Sequence, residues 1–583
     1  MCGIAGIFNP GKPRPPRQMD TACTAMLKAL DYRGPDHIGT QSDEFHAAGT
    51  ARLRITGGYR QGNQPLIDDD GGVFVFNGEL YEPEAVAEHD HTGYTSDQSD
   101  GVALSALIRA QGPDGLQGVS AMFALAYYDP RERSLLLARD AYGQKPLYHH
   151  TMSDGTLVFG STISALHVVA GPFAVREEAI DEYLVFKSVG GCASGYEGVR
   201  QLAPGSWMKI DREGRVTQGI WNRLPDPDEE MTPDPEEIEA CILKAIHKRI
   251  SPRFRPTVFL SGGLDSSIVA AGVCRQLTGA ERPLAMSIGY DIDGMEDETG
   301  YAQRLAEELG MDYECVQLRS ADVPDLLEET AGFLEDPIQD PITVPYFHIC
   351  RHAADLTRVV LTGDGSDEFW GGYDRFEDAP ISIDEYLPRS MVFKPSEIGR
   401  ETIPAHYLDS VRIDHELQPL DRILRVEVQN RLRNYHLARI DKLSMASSLE
   451  ARCPFLDRAL SRMALKIPAR HKRDGQRVKI PLLDASKGLL PRWLLERRKQ
   501  PFTGPILSWL KSPLEPRIQS MNNKTDSRIS DRVDVPDLLK RFADPAQAGS
   551  LANRVWSLVY LETWLQSVTP RFAAPPTEKL DGT

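Results

Sequence analysis

Two domains of different class are predicted: a strand-rich α+β part up to about residue 215, then an α/β part built on a mainly parallel, helix-covered sheet. Three observations predict them. The chain has 583 residues, more than one hydrophobic core organises. Its first part is a succession of short apolar or β-rich runs bounded by Gly, Asp and Asn. Beyond a stretch crowded with prolines and acids, the rhythm changes to strand, turn and helix in alternation.

The elements follow in order. MCGIAGIF opens the chain as an apolar run punctuated by glycine. GGVFVFNGELY, MFALAYYD, RSLLLARDAYG and GTLVFGST supply further strands of a domain expected over 2–215. NRLPDPDEEMTPDPEE falls largely in an expected linker, 216–235, because it is too polar and proline-rich for a regular element. In the second domain, expected over 236–565, PTVFLSGGLDSSIVAAGVCRQL reads as strand, Gly turn and helix. LAMSIGY is a second strand. DETGYAQRLAEELG is a helix with Ala302, Leu305, Ala306 and Leu309 at helical spacing and Gly310 as its stop. TRVVLTGDGSDEFWGGY is a third strand and its loop. Residues 421–565 read as largely helical, and the tail 566–583, ending TPRFAAPPTEKLDGT, as disordered.

Composition excludes several classes. Hydrophobic residues at 41% and charged residues at 26% are ordinary for a globular protein in water. A net charge of −18 argues against a nucleic-acid backbone as partner. No apolar run nears the ~18 residues of a membrane span. The eight cysteines form no C-x-x-C pair and no zinc-type spacing, so they read as reduced thiols and the expected location is the cytoplasm. The N-terminus lacks the basic and apolar regions of a signal peptide.

The first chemical constellation lies at the start. A thiol is a good nucleophile only as thiolate, and so needs a base. With Met1 removed, Cys2 carries its own: an α-amine with a pKa near ~7.7–8. Asn77 and Gly78, at a strand end, offer a side-chain amide and a backbone N–H that stabilise an oxyanion. Arg52 suits a substrate carboxylate, and Glu79 or Asp100 a substrate ammonium.

The second constellation is FLSGGLDSS at a strand–helix junction. Small residues let backbone N–H groups close around phosphate oxygens, and the helix N-terminus favours the anion. It is not a Walker A loop, since G-x-x-x-x-G-K-[ST] is absent. Asp265 and, in the LTGDGSDEFWGGY loop, Asp367 present hard oxygens suited to Mg2+. Lys479, Arg498 and Lys499 are downstream cations suited to charge on a transferring phosphate.

These segments resemble known families in order along the chain. MCGIAGIF, YRGPD, RLRI, NQPL, FNGELY and ARDAYGQKPLY resemble the glutaminase domain of class II glutamine amidotransferases. LSGGLDSS, LTGDGSDEFWGGY, DKLSMASSLEARCPFLD and RRKQPFTGP resemble the synthetase domain of glutamine-hydrolysing asparagine synthetases. The resemblance covers roughly residues 2–565. It implies an N-terminal-nucleophile α/β/β/α sandwich followed by an ATP-pyrophosphatase domain. Cys2 is then the nucleophile, Asn77 and Gly78 the oxyanion hole, and Arg52, Asn77, Gly78, Glu79 and Asp100 the glutamine site. Leu260, Ser261, Gly262, Gly263, Leu264, Asp265, Ser266, Ser267, Ile288, Thr362 and Gly363 would contact ATP. Asp265 and Asp367 would hold Mg2+, Asp364 would serve formation and amination of an acyl-adenylate, and Lys479 its adenylation transition state. The expected reaction amidates a carboxylate, aspartate by default, with glutamine as nitrogen donor and ATP consumed. Alternatives are another carboxylate of a specialised pathway, a beta-lactam synthetase-like ring closure, which retention of Cys2 disfavours, a regulatory protein that kept the fold, or a related enzyme acting on tRNA or a nucleotide. A homodimer is implied by the resemblance alone. The chain departs from the pattern at Arg54, Thr162, Tyr313, Asp336, Thr362 and Cys453; the last four are expected on the acceptor side.

Overall fold

The computed structural model describes residues 2–58, 61–90, 98–277, 281–292, 298–376, 382–413, 416–475, 477–497, 504–522 and 529–578, and every count or absence below refers to these. The N-terminal domain stacks two antiparallel sheets between helices. In the first, the strands Arg200–Gln201, Tyr148–Thr151, Leu157–Gly160, Cys2–Phe8, His46–Arg52 and His37–Ser42 lie in that order. In the second the order is Val216–Ile220, Ser206–Ile210, Ser134–Arg139, Ala121–Asp129, Val73–Leu80 and Leu66–Ile67. Alternation along each strand divides the core. Ile4 and Phe8 pack between the sheets with Val75, Ala124 and Leu137, whereas Ala5 and Ile7 face the outer helices with Met26 and Leu166. The helices Pro16–Lys28 and Ile163–Ala170 cover one outer face, and Gly101–Gln111 covers the other through Leu104 and Leu107 against Phe74 and Phe76. The result is the α/β/β/α sandwich. Residues 216–220, expected in the linker, instead form its edge strand. Met208 and Ile210, two residues apart on the neighbouring strand, reach the core between the sheets and draw the segment in.

The second domain holds five parallel strands in the order Asp312–Leu318, Leu284–Tyr290, Thr257–Phe259, Val359–Leu361 and Glu450–Arg452. Helices such as Leu264–Gln276, Thr299–Leu309 and Thr343–Ala354 pack on it. Leu260 and Ile288 stand at the carboxyl ends of adjacent strands, where open α/β sheets bind ligands. The tail read as disordered from 566 is a correction: Thr569–Ala573 is helical, Phe572 is buried, and its carbonyl accepts from Phe173 N–H at 2.7 Å. One aromatic anchor outweighed a polar, proline-rich composition.

The domains meet through buried charge. Asp441 on the helix Ala438–Met445 accepts from Arg33 at 2.7 Å and from Lys145 at 3.0 Å. Arg452 pairs with Glu79 across the junction at 3.0 Å and with Glu450 on its own strand at 2.5 Å. Glu335 closes the start of the helix Ile163–Ala170, accepting from Ile163 N–H at 2.9 Å and Ser164 N–H at 2.8 Å. Removing one member of a buried ion network strands the others in a low-dielectric interior, at roughly 3–5 kcal/mol. Asp441→Ala should therefore cost a loss of that order, read as a lower thermal midpoint with the domains unfolding in separate steps; an unchanged midpoint would show that Arg33 and Lys145 have other outlets.

Candidate active sites

The strand Cys2–Phe8 pairs antiparallel with His46–Arg52 so that Cys2 lies opposite Arg52. Cys2 N–H donates to Asn77 Oδ1 at 3.1 Å. This fixes the orientation of the Asn77 amide and leaves its Nδ2 as a buried donor with no partner among the described residues. A donor in that state is costly unless something arrives to accept from it. Gly78 follows where a Cβ would come within 2.0 Å of Met122 O, so only glycine lets the neighbouring strands Val73–Leu80 and Ala121–Asp129 close up here. Burial pushes the Cys2 thiol up, opposed by the positive chain terminus and Arg52.

Three further residues read from the sequence gather round this terminus. Asp100 accepts from Leu80 N–H at 2.7 Å, and burial raises its pKa. Glu79 is raised to about 8 by burial; Asp100 and Glu450 add to the rise and Arg452 opposes it. Two carboxylates, Glu79 and Glu450, share one guanidinium, and Glu450 keeps its charge. Arg52 donates to Thr56 O at 2.9 Å and Asn63 Oδ1 at 2.8 Å, so it organises the loop above the thiol.

The second site is built at the Phe259–Leu264 junction. Gly262 has a φ of 76°, a conformation natural to glycine. Ser261 Oγ accepts from Gly263 N–H at 3.3 Å, and Ser266 Oγ accepts from Ser261 N–H at 3.2 Å, so the serines hold the turn open at the helix start. The Gly363–Asp367 loop lies against it: a Cβ on Gly363 would come within 2.7 Å of Ser266 N. Ser366 Oγ donates to Asp265 Oδ1 at 2.8 Å.

Lys479 enters this loop pair from the far end of the domain. Its Nζ lies 2.6 Å from Asp265 Oδ2, 2.7 Å from Asp367 Oδ1 and 3.2 Å from Ser366 Oγ. Burial lowers its pKa, but the two carboxylates outweigh that and raise it, so it is a fixed positive charge. Its φ of 55° is strained for a side-chain-bearing residue. Gly372 makes the room, since a Cβ there would sit 1.8 Å from Asp367 Oδ1. Asp364 is raised by burial, with Arg439 and Thr362 pulling the other way.

Some expectations need correction. Asp336 does not face the phosphate loop; it accepts from Tyr148 O–H at 2.8 Å and Gly195 N–H at 2.7 Å and joins the domains. Tyr313 lies on the edge strand Asp312–Leu318 and donates to Thr299 O at 3.2 Å. Thr362 and Cys453 do lie by the loop, in contact with each other at 3.4 Å. Thr162 caps the helix Ile163–Ala170, whose start takes its carboxylate from Glu335 instead. Arg498 and Lys499 lie outside the described residues. Their neighbour Arg497, not singled out in the sequence, donates to Gly262 O at 2.7 Å and pairs with Glu298 at 2.6 Å. The basic run at 497–499 was its signal, but nothing in the run distinguishes which member turns inward.

Residues 237–566 match the family model described as asparagine synthase, and residues 1–221 the one described as glutamine amidotransferase domain. The Bacillus subtilis (strain 168) protein named asparagine synthetase (glutamine-hydrolyzing) 1 is 26% identical over 97% of this chain and 96% of its own. Amidase chry2 of Gibberella zeae is 26% identical over 90% of this chain and 92% of its own. The Brassica oleracea asparagine synthetase (glutamine-hydrolyzing) is 26% identical over 91% and 82% respectively.

Lys479→Met leaves Asp265 and Asp367 facing each other without their shared cation. The variant should lose thermal stability by roughly 3–5 kcal/mol, and adding Asp367→Asn should restore part of it, because the repulsion is then gone. Additive losses in the double variant would mean that Lys479 acts elsewhere.

Proposed function

The chain belongs to the asparagine synthase family, and from that premise we propose that it makes an amide from a carboxylate, ATP and glutamine, with aspartate as acceptor and asparagine, AMP and pyrophosphate as products. One observation carries the reading. A thiol beside a buried amide with a spare donor, and a phosphate loop with a cation among carboxylates, are joined in one chain by apolar residues from both domains: Leu53, Ile55, Tyr81 and Met122 from the first, Val359 and Met445 from the second.

At the first site the Cys2 amine, held by Asn77 Oδ1 once Met1 is removed, takes the thiol proton and the thiolate attacks the glutamine side-chain amide. Asn77 Nδ2 and the Gly78 N–H receive the oxyanion. Arg52 serves the glutamine carboxylate, and Glu79 and Asp100 its ammonium. Ammonia leaves, and water frees glutamate from the thioester. At the second site Leu260, Ile288, Thr362 and Gly363 seat the nucleotide and the Ser261–Ser267 loop holds its β and γ phosphates. The acceptor carboxylate attacks the α phosphorus and pyrophosphate departs, with Lys479 opposing the charge that builds there. Ammonia then displaces AMP from the acyl group, and Asp364, its pKa raised by burial, takes the proton ammonia sheds.

Mg2+ fits the donor set: Asp265 and Asp367 are hard carboxylates and outnumber the one lysine between them. Bound there it would neutralise phosphate charge. Among the described residues no helix is long and apolar enough to cross a membrane. A second reading, amidation of a different carboxylate, is favoured by the likeness to a protein named amidase chry2 along nearly the same length. Pyrophosphate release across a panel of acids, with mass identification of the amide, decides between them: asparagine supports the first reading, another amide the second.

Cys2→Ala should abolish glutamine-dependent amide formation and leave synthesis from added ammonia; loss of both would contradict two separate sites. Glu79 gives a pH test. Protonated, it cannot pair with an ammonium, and it ionises as pH rises through about 8. The KM for glutamine should therefore fall as pH is raised through that value, and Glu79→Gln should flatten the profile. A KM that rises with pH in the parent enzyme would show that Glu79 is not the ammonium's partner.

A further inference from the structure

The phosphate loop turns on a Gly-Gly peptide, and such a peptide has no fixed direction of its own. Planarity ties the carbonyl oxygen of Gly262 and the N–H of Gly263 into one unit, with the two pointing opposite ways. Swinging that unit through a half-turn changes only the ψ of Gly262 and the φ of Gly263, and glycine tolerates both. The two orientations differ in what they show an anion: one presents the Gly263 N–H, the other the Gly262 oxygen. In the structure Gly262 has a φ of 76° and Gly263 a φ of −81°. The Gly263 N–H faces the loop's own side chains and donates to Ser261 Oγ at 3.3 Å, a length beyond the usual range that a phosphate oxygen would improve on.

The oxygen on the opposite side is held. Arg497 Nη1 donates to Gly262 O at 2.7 Å, and Nη2 of the same guanidinium pairs with Glu298 Oε1 at 2.6 Å. Glu298 immediately precedes the helix Thr299–Leu309, whose first turn packs against the loop: a Cβ on Gly262 would stand 3.1 Å from Glu298 O, Ala302 N and Tyr301 Cβ. Arg497 also lies over the Tyr301 ring at 4.0 Å, Tyr301 stacks on Trp493 at 6.2 Å, and Arg304 lies over Trp493 at 4.3 Å. Trp493 Nε1 donates to Glu308 Oε1 at 3.0 Å. Two rings thus lie between two cations along one side of this helix, and Arg497 is the member that reaches the loop. Both nitrogens of its fork are committed, and Glu298 answers its charge. What it supplies to the loop is therefore direction more than attraction for an anion.

We propose that Arg497 is a positioning residue of the phosphate loop: its guanidinium, set by Glu298 and Tyr301, holds the Gly262 carbonyl outward and so keeps the Gly263 N–H turned toward the β and γ phosphates of ATP. This rests on the reading above that the loop takes pyrophosphate. A planar fork suits the task, since one Nη meets the carbonyl while the other meets the carboxylate.

The test is calorimetry on the full-length protein with Mg2+ present, using inorganic pyrophosphate and AMP as probes. Arg497→Met keeps an apolar stem over Tyr301 and removes the fork. It should weaken pyrophosphate binding roughly 10–100-fold and leave AMP binding unchanged, because Leu260 and Ile288 are untouched. Arg497→Lys keeps the charge without the fork and should recover at most part of the loss; full recovery would show that charge alone acts, and would overturn the assignment. A double-mutant cycle separates orientation from folding. In Gly263→Ala the reversed peptide is strained, since a half-turn of about 180° added to −81° puts that residue near +99°. In the observed orientation a Cβ there meets nothing closer than Ser261 Oγ at 3.4 Å. Alanine thus disfavours the reversal by itself, and Arg497→Met should cost less pyrophosphate affinity in the Gly263→Ala background than in the parent. Equal losses in the two backgrounds would overturn the proposal, as would unchanged pyrophosphate affinity in Arg497→Met, or an AMP loss as large as that of pyrophosphate. A parent that binds no pyrophosphate would instead bring down the nucleotide reading of the loop together with this one.

Discussion

A charged helix buried on every side is the constraint on which this architecture depends. Ala438–Met445 carries Arg439, Asp441 and Lys442, none more than 3% exposed. Each reaches a different neighbour. Asp441 binds Arg33 and Lys145 of the first domain, Lys442 binds Glu335 at 3.1 Å, and Met445 joins the apolar cluster with Leu53 and Ile55. Arg439 faces Asp340. Burying such groups is expensive and gains little over an apolar packing of the same volume. What it does fix is position, because Asp441 and Lys442 each have one place where they are satisfied. The helix therefore registers the terminal thiol's domain against the phosphate loop's domain with a precision that apolar contacts alone would not impose.

Strain marks the same places. Lys479 and Lys187 both adopt left-handed backbone conformations, and Lys479 projects its ammonium into the second site. Neither conformation is required by a tight turn that only they could make; glycine would make it more cheaply. A π-helix of eleven residues between Glu427 and Leu437 adds a third departure from regular geometry nearby. Strain of this kind persists only where the surroundings over-determine it. Its concentration around Asp364 is a physical reason to read the second site as preorganised, with stability given up in the free protein for groups already in place.

Much of this was legible in the sequence because the informative residues are close together along it. FNGEL, SGGLDSS and GDGSDE each put several site groups within one turn, and the strands Val73–Leu80, Thr257–Phe259 and Val359–Leu361 lie where those runs predict. Two strands of the second domain's sheet escaped. Asp312–Leu318 alternates polar and apolar residues next to a strong helix, and Glu450–Arg452 has two charged residues among its three. Its charges are buried because Glu79 of the other domain and Glu450 share Arg452, a fact no local pattern contains. Asp336 misled for the same reason: its partners, Tyr148 and Gly195, lie far off in the chain. Arg439 lies two residues before the DKLSMASSLEARCPFLD run, outside every motif read from the sequence, and that its Nε and Nη1 are buried without hydrogen bonds appears only when the π-helix is wound.

The arrangement of the junction also bears on the fate of nitrogen between the sites. Charged pairs stand at the junction, at Arg33–Asp441 and Glu450–Arg452, and with them an apolar cluster of Leu53, Ile55, Met122, Val359 and Met445. In water near neutral pH an amine of this basicity is mostly protonated and cannot attack an acyl group. A lining of carboxylates would hold it in that form, since an opposite charge raises a cation's pKa. An apolar lining does the reverse: desolvation penalises ammonium by several kcal/mol or more and barely touches neutral ammonia. Combining charged pairs with an apolar cluster at one junction therefore suits two tasks, aligning the domains electrostatically and offering surroundings in which ammonia stays uncharged and reactive.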